Sequence, residues 1–155
     1  MKNKGKVFEE DFIKSLDPTT WRLRLKDAGG WRRGQDTRFT SKNPCDYLAM
    51  VNHTLYMLEL KSHKKKSIPT KEMSQLDDLY KKHTGYVNVM PVFILNFSDY
   101  HRTFAVNVFD IQKYLTTTGR KSIPFDFCES VGIEIPCILR RTRYRYQVEQ
   151  TLKKL

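Results

Sequence analysis

The 155-residue sequence predicts an α/β fold, a mixed β-sheet flanked by helices. Three observations predict it. Residues 46–61, DYLAMVNHTLYMLELK, alternate about Asn52-His53 as the two strands of a hairpin do. Residues 88–97, NVMPVFILNF, form a continuous apolar run suited to a central strand. Two stretches, 5–16 and 70–83, space their apolar residues as amphipathic helices do.

In chain order, GKVFEEDFIKSL sets Phe8, Phe12 and Leu16 at i, i+4 and i+8, and Asp17-Pro18 ends that helix. WRLRLKD then alternates apolar and basic residues as a half-exposed strand. Residues 28–44, AGGWRRGQDTRFTSKNP, hold no steady period and read as a basic loop. After the hairpin, SHKKKS is a basic connector. The helix over 70–83 follows with Met73, Leu76, Leu79 and Tyr80 on one face and Gly85 beyond its end. Pro91 must lie near the start of the apolar strand or at a bulge. RTFAVNV is its expected antiparallel neighbour, and FDIQKYLTT a short helix. The last third offers one or two short strands, an Arg/Tyr cluster and a closing helix. The order is helix, strand, strand, strand, helix, strand, strand, helix, in one domain spanning 1–155 with neither repeat nor linker.

Lys and Arg number 28 against 17 Asp and Glu, a formal net charge of +11. That balance favours a polyanionic partner over a small-molecule substrate, with nucleic acid ahead of an anionic membrane surface. No run approaches the ~18 apolar residues of a spanning helix, and MKNKGKVFEEDF has no apolar signal-peptide core. A cytoplasmic protein is expected. Cys45, Cys128 and Cys137 are an odd set without CxxC spacing, read as reduced thiols and not as a zinc site. His53, His63, His83 and His101 show no ligand spacing.

The charges at the ends of the hairpin carry the chemistry. A two-residue turn at Asn52-His53 makes every cross-strand pair sum to 105, so Asp46 faces Glu59, with Cβ atoms about 4.5 to 5.5 Å apart. Lys61 lies two residues further along the same face. Opposed carboxylates repel unless a cation sits between them, and a hard divalent ion with oxygen ligands meets that need. The plainer alternative is a strand-end aspartate beside a solvated face. The register, the apolar flank LYML and the basic surroundings weigh against it.

The pattern Asp46-x12-Glu59-Leu60-Lys61 resembles the active-site signature of PD-(D/E)xK nucleases, which implies a restriction-endonuclease-like core. More narrowly, NKGKVFEEDF, NPCDY, YMLELKS, SIP with SQLDDL, and GRKSIP resemble segments of RecU-type Holliday junction resolvases, especially forms carried by phages of Gram-positive bacteria. The likeness runs from residue 3 to about residue 146. It implies a structure-selective endonuclease that cuts four-way or branched DNA as a homodimer, by paired nicks, using Mg²⁺ or Mn²⁺. Asp46 and Glu59 would hold the metal with the Leu60 carbonyl, and Gln75 would stand nearby as a further ligand. Lys61 would orient the attacking water, and Glu9 on the first helix would complete the catalytic set.

Two departures stand out. Only about twenty residues separate the first strand from Asp46, where bacterial relatives carry a longer stalk into the junction. Pro44 stands where family members have Thr. Candidate phosphate contacts are Arg32, Arg33, Arg38 and Lys42 in the loop, Lys64, Lys65 and Lys66 after the hairpin, and Arg140, Arg141, Arg143 and Arg145 near the end. Trp31, Tyr144 and Tyr146 are candidates for stacking on unpaired bases, with packing as the plainer alternative. Other readings are a nuclease of this superfamily acting on other branched or linear DNA, and a DNA-binding module without catalysis. The opposed carboxylates argue against the module, since they would weaken phosphate binding.

Overall fold

The computed structural model describes residues 3–25, 43–82 and 86–155. Helix α1, Lys4–Ser15, begins where the Asn3 side chain accepts a hydrogen bond from Gly5 N at 3.0 Å, which supplies an acceptor to an otherwise unpaired helix-start amide. Strand β1 is Arg22–Arg24. The predicted hairpin is β2, Tyr47–Val51, and β3, Thr54–His63. Its turn residues Asn52 and His53 both have positive φ, 52° and 66°, the backbone that a tight two-residue hairpin loop demands. The register runs from Val51↔Thr54 to Tyr47↔Leu58, every pair summing to 105 as expected. The regular ladder stops there, one pair short of Asp46 and Glu59.

The apolar run is β5, Val89–Phe97, parallel to β3 and antiparallel to β6, Arg102–Asn107. Pro91 lies near the start of β5, before the β6 ladder begins at Val92↔Asn107, so its missing N–H costs that ladder nothing. With β8, Ile133–Glu134, the main sheet has the order β1-β2-β3-β5-β6-β8.

The expected helix over 70–83 is shorter than its spacing suggests. Ser67–Pro69 form strand β4, Thr70–Glu72 a single 3-10 turn, and helix α2 runs only over Leu76–Lys82. The first residue of that expected helix is held at long range, where Thr70 N–H donates to Lys121 O at 3.0 Å beyond the end of a strand pair. β4 pairs with β7, Ser122–Pro124, so the two identical tripeptides Ser-Ile-Pro lie antiparallel with Ile68 opposite Ile123, both fully buried. Met73, Leu76 and Leu79 still bury one face, while Tyr80 is exposed and meets Phe109 edge-on.

Helix α3, Val108–Thr118, is capped by the Asn107 side chain and ends at Gly119 in the left-handed region. Past it, the chain holds more structure than one or two strands. β7 leads into helix α4, Phe125–Val131, then β8, the hairpin of β9, Cys137–Arg140, and β10, Arg143–Tyr146, and finally helix α5, Val148–Leu152. Each of these strands has two to four residues, too few to display a period.

Two apolar clusters cover the sheet. Phe8 and Phe12 of α1 and the capping Leu16 join Leu58, Ile94, Tyr146 and Leu152 in one. Ile68, Leu79, Phe93, Phe104, Ile111 and Phe125 lie in the other, under α2, α3 and α4. Tyr146 is a packing group, its ring 5.8 Å from Phe8 and edge-on to it. Tyr144 stacks on His101 and shares a 3.0 Å hydrogen bond with its ring. All three cysteines are free, Cys45 and Cys128 buried and Cys137 half-buried. The basic loop lies outside the described residues but for positions 43 and 44, taking with it Trp31, Arg32, Arg33, Arg38 and Lys42, and Gly85 lies outside them too.

Candidate active site

Asp46 sits where β2 stops following its neighbour. Its N–H donates to Leu58 O at 3.0 Å, its carbonyl accepts from Leu25 N at 2.9 Å, and its Oδ2 accepts from Leu60 N at 2.9 Å. The side chain has replaced a backbone carbonyl as the partner of the Leu60 amide. One carboxylate oxygen is thereby fixed and its direction set by the strand beside it.

Glu59 is only 1% exposed, and among the described residues its Oε2 has no hydrogen-bond donor. Lys61 Nζ stands 3.0 Å from Oε1 as an ion pair. One ammonium on Oε1 leaves the buried Oε2 unsatisfied, which is costly, so the carboxylate calls for a proton or a second cation. Burial, and then the charge of Asp46, push the Glu59 carboxyl up to about 7, while Lys61 pulls the other way. Asp46 is raised for the same first reason, with the Leu60 amide and Lys61 opposing. Two hard oxygen donors of this kind, buried and adjacent, fit Mg²⁺ or Mn²⁺, whose other positions go to water and phosphate. Among the described residues no group of three or more His, Cys, Asp and Glu is placed to hold a metal. Two carboxylates are therefore the acidic ligands in view. Cys45 is buried next to them, but burial and both carboxylates push its thiol up to about 12, so it is a poor thiolate ligand.

Lys61 is the outward member of the set, its side chain 28% exposed against 1% for Glu59. Glu9 reaches the site from α1. Its Oε1 accepts from Tyr47 Oη at 2.9 Å and lies 3.2 Å from Arg24, and its charge contributes to raising Asp46. Burial and the same glutamate push the Tyr47 hydroxyl above its usual range. The structure thus brings Glu9, Asp46, Glu59 and Lys61 together. Gln75 stands just before α2, its Oε1 accepting from Ser74 Oγ at 3.0 Å, and no hydrogen bond joins it to either carboxylate.

The basic residues separate into two kinds. Lys64, Lys65 and Lys66 are exposed beyond the end of β3, with Lys66 Nζ 5.3 Å from the Tyr100 ring centroid. Arg140 and Arg141 are exposed at the β9–β10 turn. Arg143 instead pairs with Asp11 and with Glu10 at 3.1 Å, and Arg145 donates to Lys14 O at 2.6 Å, so both tie the hairpin to α1. Sequence reasoning passed over Tyr47 and Arg24. The adjacency of Tyr47 to Asp46 and the outward, alternating position of Arg24 were the available signals.

The family model described as "RecU: Recombination protein U" matches residues 22–148. Among curated proteins, the SPbeta prophage-derived protein YotM of Bacillus subtilis (strain 168) is 28% identical over 172 residues, covering 99% of this chain and 87% of that protein. Among solved structures, Hjc of Archaeoglobus fulgidus, a Holliday junction resolvase from an archaeal hyperthermophile, superposes with a TM-score of 0.53. The superposition covers 83% of this chain and 93% of Hjc at 16% identity, a likeness of fold.

Proposed function

The chain belongs to the Recombination protein U family, and from that membership we propose that it is a divalent-metal-dependent endonuclease that resolves four-way DNA junctions by paired nicks. One observation carries the metal-dependent chemistry. Glu59 is buried beside Asp46 with Oε1 on the Lys61 ammonium and, among the described residues, Oε2 without a partner, while Lys61 itself is partly exposed.

Phosphodiester hydrolysis needs an attacking water, neutralised charge at phosphorus and help for the leaving oxygen. Asp46 and Glu59 would hold Mg²⁺ or Mn²⁺, with the Leu60 carbonyl and Gln75 as further candidate ligands. When bound, the ion would supply positive charge at the scissile phosphate and acidify a water. Asp46 presents its carboxylate from a backbone-locked position, which limits reorganisation on binding. Lys61, anchored through Glu59 and partly open to solvent, would orient the water and stabilise negative charge developing at phosphorus. Glu9 adds negative charge on the α1 side. Lys64, Lys65, Lys66, Arg140 and Arg141 would neutralise phosphates of the arms, as would Arg32, Arg33, Arg38 and Lys42 of the loop.

A four-way junction has two strands to cut, and a two-fold homodimer would present two sites at once. The likeness to a prophage-derived protein supports a setting in phage DNA recombination, within the bacterial cytoplasm. A second reading, cleavage of other branched or linear DNA, is favoured by the short stretch between β1 and Asp46, which leaves little chain for a stalk. A synthetic junction and a linear duplex of the same sequence, each with Mg²⁺, Mn²⁺ or EDTA, separate these. Symmetric paired nicks on the junction alone, abolished by chelator and in Asp46→Asn, are expected. Equal cutting of the duplex would support the second reading, and tight binding without cutting would leave a binding module.

A further inference from the structure

Glu9 is gripped through a single oxygen. Tyr47 Oη donates to Oε1 at 2.9 Å, Arg24 lies 3.2 Å from the same atom, and among the described residues no hydrogen bond reaches Oε2. Tyr47 follows Asp46 directly and pairs with Arg24 on β1 and Leu58 on β3, so its backbone is held on both sides. The residue is 6% exposed, and the Arg24 guanidinium lies 5.9 Å from the ring centroid. The hydroxyl is therefore a fixed donor on the strand that presents Asp46, aimed at a carboxylate from a different element. An exposed Arg24–Glu9 pair alone would define little, because Arg24 is 60% exposed and well solvated.

We propose that Tyr47, supported by Arg24, is a positioning residue that locks Glu9 beside Asp46 with Oε2 left for a water of the bound cation. This rests on the nuclease reading above for its catalytic consequence, but not for its structural one. A phenol bonded to one oxygen sets both the carboxylate's plane and which oxygen remains available, as partners behind metal ligands do elsewhere. Glutamate on a helix would otherwise sample several rotamers. Tyr47 thereby couples α1 to the hairpin at the site itself.

A cycle of Tyr47→Phe, Glu9→Gln and the double variant tests this on the full chain with two readouts. In DNA-free protein, the rise in melting temperature produced by Mn²⁺ is titrated to give an apparent dissociation constant. Tyr47→Phe, which keeps the buried ring, should weaken Mn²⁺ binding about tenfold. The double variant should be no weaker than Glu9→Gln. In single-turnover cleavage, Tyr47→Phe should lower the rate about tenfold at saturating DNA with little change in the half-saturating DNA concentration, and this effect too should vanish in the Glu9→Gln background. Unchanged Mn²⁺ binding in Tyr47→Phe, or effects that multiply independently in the double variant, would overturn the proposal. Should the wild type cut no DNA, the nuclease reading fails while the Mn²⁺ titration still decides whether Tyr47 acts through Glu9.

Discussion

Glu59 is a group whose state the fold dictates. Its folded carboxyl titrates near 7, above the ordinary 4.5, so between those values the folded chain holds a proton that the unfolded chain has released. Stability from this group is therefore full at low pH and declines as pH rises from about 4.5 to about 7, then levels. At about 1.4 kcal/mol per pH unit the decline is on the order of 3 kcal/mol, and Asp46, raised as well, adds in the same direction. In EDTA, melting temperature should fall by several degrees between pH 5 and 8 in the wild type. Glu59→Gln should melt higher at pH 8 and lose most of the fall. A Glu59→Gln variant with the wild-type pH slope would mean that the carboxylate is solvated. Asp46, Glu59 and Lys61 were legible from sequence because a period of two and a two-residue turn locate side chains without tertiary knowledge. Tyr47 bonding Glu9 across 38 residues was not, since nothing local fixes where α1 docks.

Turn chemistry governs the β2–β3 element that carries the site. Both Asn52 and His53 occupy positive φ, which asparagine tolerates and histidine tolerates less well. His53→Gly should therefore stabilise by roughly 0.5–1 kcal/mol, the relief of backbone strain outweighing the extra freedom of glycine when unfolded. Chemical denaturation with an unchanged m-value is the check, and destabilisation would show that the His53 side chain makes an interaction worth more than the strain. The same element shows how far pattern reading goes. Its register followed from the turn, yet the slip at Asp46 depends on a carboxylate competing with a carbonyl for the Leu60 amide, which alternation does not encode. Elsewhere the limit was length. The Ser-Ile-Pro segments at 67–69 and 122–124 are strands only because they find each other across more than fifty residues.

Across the whole molecule, a net charge of +11 says that a polyanion is favoured but not which cations meet it. The fold divides them. Arg143 and Arg145 hold the β9–β10 hairpin to α1 through Glu10, Asp11 and the Lys14 carbonyl, whereas Lys64, Lys65, Arg140 and Arg141 project outward. A cation already spent on an internal carboxylate releases few counterions when DNA arrives, so it contributes little to salt dependence. With a catalytically silent Asp46→Asn background and a four-way junction, the plot of log affinity against log salt should be steep. Replacing Lys64 and Lys65 with Gln should make it shallower by about 0.9 for each phosphate no longer neutralised, and Arg140 with Arg141 by a similar amount. Arg143→Gln should leave the slope nearly unchanged while lowering the melting temperature, because buried Asp11 loses its cationic partner and keeps only the Tyr144 N–H. A reduced slope in Arg143→Gln with unchanged melting would reverse that division and make the hairpin arginine a phosphate ligand.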